Sequence, residues 1–192
     1  MSRGQAETLI PMVADAMSAA GLVFDALDAI AVTMGPGAFT GVRIGLSTAQ
    51  SLALAADKPL VGVTTLEAVF AAQGQASTPF LVALDTKRTD IYAQLFDSDG
   101  EALTEPLAVE EDKISMAVSM HGIGVVGDAA DRAVRALNKA GVAAKRHCGP
   151  MLPDAFWVAR IAAGRFIAGD LVPVEPIYLR APDVGPLPKP IA

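Results

Sequence analysis

The sequence predicts an α/β protein built as two lobes, and three observations carry that prediction. From Gln5 to Ala72 helical and strand-like segments alternate, the pattern of a mainly parallel sheet covered by helices. The stretch GQASTP, Gly74 to Pro79, is small and polar and interrupts that rhythm, as a boundary between units does. Beyond it come two apolar runs joined by a short charged turn, a hairpin signal. On this reading residues 1–76 form the first lobe and residues 77–192 the second.

In chain order, Leu9, Met12, Val13, Ala16, Met17 and Ala20 recur at helical spacing, which predicts a helix over Gln5–Ala20 with Gly21 at its C-terminal cap. Ala29 to Thr33 is a short buried strand. A glycine loop follows, TMGPGAFTGVRIG from Thr33 to Gly45, and runs into a helix over Thr40–Ala56. Leu60–Val63 is the next strand, and Thr64 and Thr65 offer hydroxyls to cap a helix over Leu66–Ala72. In the second lobe, strands over Phe80–Leu84 and Ile91–Phe96 flank the turn Asp85-Thr86-Lys87-Arg88-Thr89-Asp90, and Asp97–Gly100 makes another turn. A strand over Gly122–Val126 and helices over Asp128–Ala140 and Asp154–Ala168 complete it; the proline-rich end, PDVGPLPKPIA, is expected to be loose.

Composition bounds the function. At 192 residues, 52% hydrophobic and 19% charged, the chain is long enough and apolar enough for a packed core. A net charge of -6 argues against wrapping nucleic acid directly, so any role on RNA needs a basic partner. The single cysteine, Cys148, cannot close an internal disulfide, and no signal-like or membrane-spanning stretch is seen, which leads to the expectation of a cytoplasmic protein.

The glycine loop has two readings. Glycines let a backbone approach a ligand, and a helix N-terminus presents unpaired N–H groups, which would make Gly35, Gly37, Thr40 and Gly41 a nucleotide-phosphate site. The spacing, however, is neither GxGxxG nor GxxxxGK[ST], and no lysine or acidic metal ligand follows, so motif physics favours a structural turn. Within the following helix Gly41, Gly45 and Ala49 recur every fourth residue and make a smooth face with Arg43 as the helix's sole charge. Helix 5–20 is apolar over most of its circumference. The two helices together offer surplus apolar surface for a partner, with ordinary core burial as the alternative. His121 and His147 form no HExxH pair, and Cys148 beside His147 builds no triad, so neither a zinc site nor a nucleophile is expected. The cluster of Asp85, Lys87, Arg88 and Asp90 reads as a solvated hairpin turn with a salt-bridging contact as an option.

The run GPGAFTGVRIGLSTAQSLALAADKPLVGVTTLEA closely resembles the signature of the bacterial tRNA threonylcarbamoyladenosine biosynthesis family of TsaB. ETLIPMVADAM, ALDTKRTDIYAQLF, GVVGDAA and EPIYLR extend the resemblance over most of the chain. It implies a two-lobed actin-like, sugar-kinase and Hsp70 type of fold (ribonuclease H-like) and no catalytic activity of its own. Members pair with the related catalytic subunit TsaD, and with the ATPase TsaE, to place threonylcarbamoyl on adenosine 37 of tRNAs reading ANN codons. The resemblance further implies that the glycine loop is a degenerate nucleotide site, that this chain binds no cofactor, and that ATP and metal belong to its partners. It puts the pairing surface on the two first-lobe helices, here Leu9, Met12, Val13, Ala16, Gly41, Gly45 and Ala49, with tRNA reached only through the complex and a homodimer open to the isolated chain.

One feature departs from the family. Members begin with an additional strand and hairpin, whereas this chain opens MSRGQAET. The first lobe is therefore expected to be N-terminally truncated, with Met1 an internal methionine of a longer natural chain and strand 29–33 an open edge. The competing functions are a small ATPase or phosphotransferase using the glycine loop and, disfavoured by the lack of paired histidines, a glycoprotease-type metallohydrolase.

Overall fold

A computed structural model describes residues 5–74, 77–118, 120, 122–149 and 151–180; the expected loose end, 182–192, and His121 lie outside them. Two parallel strands, β1 (Ile30–Thr33) and β2 (Leu60–Val63), pair from Ile30↔Leu60 to Thr33↔Val63 and are joined by helix α2 (Phe39–Ala56). Their residues alternate between two faces, as strand geometry requires. Ile30, Val32 and Leu60 meet Val42, Leu46 and Ala49 of α2. Ala31, Val61 and Val63 meet helix α5 (Ala155–Ala168) through Val158 and Ala162. Gly62 sits under Met34, where a Cβ would come 2.3 Å from the methionine sulfur. Among the described residues β1 has one strand neighbour, β2, so its other edge is open.

The second sheet has five strands in the order β5-β4-β3-β6-β7. β3 (Phe80–Asp85) and β4 (Asp90–Phe96) form the expected hairpin, in register from Phe80↔Phe96 to Asp85↔Ile91. β5 (Leu107–Glu110) adds antiparallel to β4, while β6 (Ile123–Val126) and β7 (Ala144–Arg146) run parallel to β3 on its other side. Leu81 and Ala83 face helix α4 (Ala130–Lys139) and the 3-10 segment Glu111–Ala117; Phe80, Val82 and Leu84 face helix α3 (Thr65–Ala71).

Helix α3 is placed by its cap. The Thr64 hydroxyl accepts the Glu67 N–H at 3.0 Å, and a Glu67 carboxylate oxygen accepts the Thr64 N–H at 2.7 Å, a reciprocal capping box. The other Glu67 oxygen takes Arg165 of α5 at 2.5 Å, and Arg165 also donates to the Gly62 carbonyl at 2.7 Å. Leu66 and Val69 of α3 pack on the second sheet and Ala68 on the first, so the two sheets share a core through this helix.

Helix α1 (Gln5–Ala20) ends at Gly21, whose φ of +64° suits a left-handed cap while Leu22 N–H donates back to the Met17 carbonyl. It packs mainly on α2, and none of its described residues is buried. Helix α4 begins later than the sequence predicts, at Ala130 and not Asp128. The Asp128 carboxylate accepts the Asp85 N–H at 2.7 Å and is held in the turn. Two short edge strands, β5 and β7, were not expected, nor was the position of α5 on the first sheet.

Candidate functional site

The glycine loop leaves β1 at Met34, whose N–H continues the ladder to the Val63 carbonyl at 2.8 Å. Gly35 has φ +102°, which L side chains rarely adopt, and its carbonyl accepts the Thr65 N–H at 2.8 Å. A Cβ on Gly35 would stand 3.1 Å from the Ile177 carbonyl oxygen. The close backbone approach that this glycine permits is thus made by the chain's own C-terminal strap, residues 174–180. Ile177 N–H donates to the Met34 carbonyl at 2.8 Å, and Val174 and Ile177 pack against the Val32–Leu46 cluster. Next along the strap, the Tyr178 ring lies 5.1 Å from Phe39, and its hydroxyl accepts Arg43 Nε at 2.8 Å. The Arg43 guanidinium covers the Phe39 ring at 3.7 Å.

Beside the strap a cleft of about 710 Å³ separates the glycine loop from the β3–β4 turn, within the range of small-molecule sites. Of the four candidate phosphate-loop residues it takes only Gly37. Thr40 is exposed and Gly41 half-buried in the first turn of α2, and neither they nor Gly35 line the cleft. The opposite wall is Asp85, Thr86, Lys87, Arg88 and Asp128. Lys87, at φ +63°, bends its ammonium over both carboxylates, 3.0 Å from Asp85 and 3.4 Å from Asp128. Arg132 reaches the other Asp85 oxygen at 2.8 Å and binds Glu111 at 2.6 Å. Burial pushes the Asp85 carboxyl up, but the Lys87 hydrogen bonds and the Lys87 and Arg132 charges outweigh it and hold the group below its ordinary 3.8. The hydrogen bond that Lys87 donates to Asp85 and the charge of Asp128 raise Lys87 above 10.5. The two carboxylates that line the cleft are thus ion-paired with the chain's own cations. The charged turn is a salt-bridged one.

On the two helices, Leu9 and Val13 are half-buried, whereas Met12, at 51%, and Ala16 are exposed. A Cβ on Gly45 would meet nothing within 4 Å, so the smooth face is open and not filled by α1. Ala49 corrects the expectation: at 7% exposure it lies in the core between α2 and the first sheet and offers no surface to a partner. A position every fourth residue drifts around the helix by about 40°, which carries the row from the open side to the packed one. His147 is held by the Gln73 amide at 2.6 Å and packs edge-on against Phe80. The exposed Cys148 beside it is unpaired. The sequence marks Arg43 only as the sole charge of its helix, and carries Phe39 and the strap only inside the GPGAFTGVRIG and EPIYLR stretches of the resemblance, without a role for either.

The family model described as "TsaD: tRNA N6-adenosine threonylcarbamoyltransferase" matches residues 1–146. The tRNA threonylcarbamoyladenosine biosynthesis protein TsaB of Escherichia coli is 32% identical over 190 aligned residues, 93% of this chain and 81% of that protein. The chain belongs to the TsaB family. A tRNA N6-adenosine threonylcarbamoyltransferase of Novosphingobium aromaticivorans is 53% identical over 66 residues, 34% of this chain and 19% of that enzyme. The crystal structure of a Pseudomonas aeruginosa protein with similarity to the peptidase YeaZ superposes with a TM-score of 0.78 at 26% identity, covering 94% of this chain and 86% of that one. The likeness to that structure, together with the TsaB relationship, bears out the two-lobed α/β fold expected from the signature. The family model ends at Arg146, so the glycine loop and the charged turn lie inside it, whereas α5 and the strap lie beyond its matched residues.

Proposed function

We propose that this TsaB-family chain acts in tRNA threonylcarbamoyladenosine biosynthesis as a non-catalytic subunit that pairs with TsaD, and with TsaE, for modification of adenosine 37 in tRNAs reading ANN codons. The observation that carries the reading is the α1–α2 surface: a 16-residue, largely apolar helix, with no buried residue among those described, lies beside an open glycine position on α2. Such a helix gains most of its stability from packing, so a partner that covers it supplies what the chain alone lacks. Within this reading the chain binds no cofactor itself, ATP and metal belong to the partners, and tRNA is met through the complex, in keeping with a net charge of -6. The same face could pair two copies of the chain when TsaD is absent.

Support for a non-catalytic role comes from the cleft. Gly35 spends its freedom on the strap, and the Asp85–Asp128 pair is already occupied by Lys87. A phosphotransferase using this cleft would have to break both arrangements. The test is co-purification with TsaD from the same organism, using Met12→Asp and Ala16→Asp. Both sites are exposed, so each variant is expected to melt near the parent temperature yet fail to retain TsaD; retention by both would overturn the assignment of the surface. Calorimetry with ATP, expected to show no heat of binding, addresses the ATPase reading.

A further inference from the structure

We propose that the C-terminal strap is a clasp: it ties the two sheets together across the cleft and fixes its width. The strap is anchored on both sides within a few residues. On the first-sheet side, Val174 and Ile177 are packed into the α2 cluster, Ile177 N–H holds the Met34 carbonyl at 2.8 Å, and Tyr178 is gripped by Phe39 and Arg43. On the second-sheet side, Arg180 Nε donates to the Asp90 carboxylate at 3.0 Å. Asp90 opens β4 and is itself fixed, since its carboxylate and its backbone carbonyl both accept the Thr86 hydroxyl, at 2.7 and 2.9 Å.

Three residue steps separate Ile177 from Arg180, a tether of at most about 10 Å when fully extended. The sheets cannot swing apart by more than the slack in that tether unless one anchor lets go. Helix α3, whose first residue Thr65 lines the same cleft, already belongs to both sheets, through Leu66 and Val69 on one and Ala68 on the other. Two separate ties between the sheets, the helix and the strap, restrict the rotation that opens and closes a two-lobed molecule. Ile177, Tyr178, Leu179 and Arg180 also line the cleft, so the clasp is one of its walls. The chain is thereby held in one interlobe arrangement, whether or not it is paired, and offers any partner a preformed surface at little ordering cost.

The experiment measures the distance between spin labels on the two sides of the cleft, on Ser51→Cys in α2 and Ser98→Cys beyond β4, both exposed, in a Cys148→Ser background. The otherwise unaltered chain is expected to give one narrow distance distribution. Arg180→Ala and, independently, Asp90→Asn are each expected to add a second, longer population. Asp90→Asn leaves the amide oxygen and the backbone carbonyl to Thr86 and so spares the turn; it decides the matter if Arg180→Ala does not fold. A single narrow distribution in Asp90→Asn, or a broad one in the parent, would overturn the clasp.

Discussion

Gly45 separates a docking surface from a packed one. In the isolated chain a Cβ there meets nothing within 4 Å, so Gly45→Ala costs no packing, and the first side-chain carbon of Gly45→Leu meets no neighbour. It also lies inside the 18-residue helix α2, where replacing glycine removes an entropic penalty of about 1 kcal/mol. For a chain of this size such a gain raises the melting temperature by roughly 2–4 °C. In a complex in which another helix approaches this face closely, the leucine side chain overpacks the contact by about 1–3 kcal/mol. That is roughly a 5- to 150-fold weaker dissociation constant, at 1.4 kcal/mol per factor of ten. The assay pairs thermal unfolding of the variant with calorimetric titration into TsaD. A lower melting temperature would show that the face is packed within the chain, and an unchanged affinity would show that it is not the docking face; either result refutes the reasoning.

Other substitutions probe the fold around the site. Gly127→Ala, with φ +106° and a Cβ 2.1 Å from the Ala83 carbonyl oxygen, is expected to leave little folded protein, whereas Gly35→Ala, 3.1 Å from Ile177, should cost about 1–3 kcal/mol and remain foldable; equal melting temperatures in circular dichroism would count against the difference in crowding. Glu67→Ala removes both a cap bond and the partner of Arg165, so in urea unfolding it should cost more than Thr64→Ala, itself about 1 kcal/mol; the reverse order would contradict the shared role of that carboxylate. Because the folded Asp85 pKa lies below its unfolded value of about 3.9, its contribution is complete above that value and is lost as pH falls through the folded one. Asp85→Asn should therefore flatten the acid limb of the stability curve below about pH 4, and parallel curves for the two proteins would rule out that linkage.

Local signals were legible and returning segments were not. The apolar spacing from Leu9 to Ala20 and the cap at Gly21 marked α1 to its ends, and the hydroxyls of Thr64 and Thr65 marked the start of α3. β5 and β7 escaped notice because each is four residues or fewer at the margin of a sheet and depends on its neighbour for its definition. The seat of α5 on the first sheet rests on Arg165 reaching Gly62 and Glu67, about a hundred residues earlier in the chain, which no periodicity encodes. The glycine loop shows the same division. Its positive φ could be expected from the residue type, but that its neighbour is Ile177 and not a phosphate depends on a strap from the far end of the chain. Likewise Lys87 was visible as a charge in a turn, and its position between Asp85 and Asp128 appeared only with the fold.

The central claim, that this chain supports threonylcarbamoylation without performing it, is tested most directly by reconstitution. TsaD and TsaE from the same organism are supplied with ATP, the threonylcarbamoyl donor and an ANN-reading tRNA, and threonylcarbamoyladenosine at position 37 is quantified with and without this chain. The account predicts product that depends on the chain and is lost with the pairing-defective Met12→Asp variant. Full product formation in its absence would contradict it.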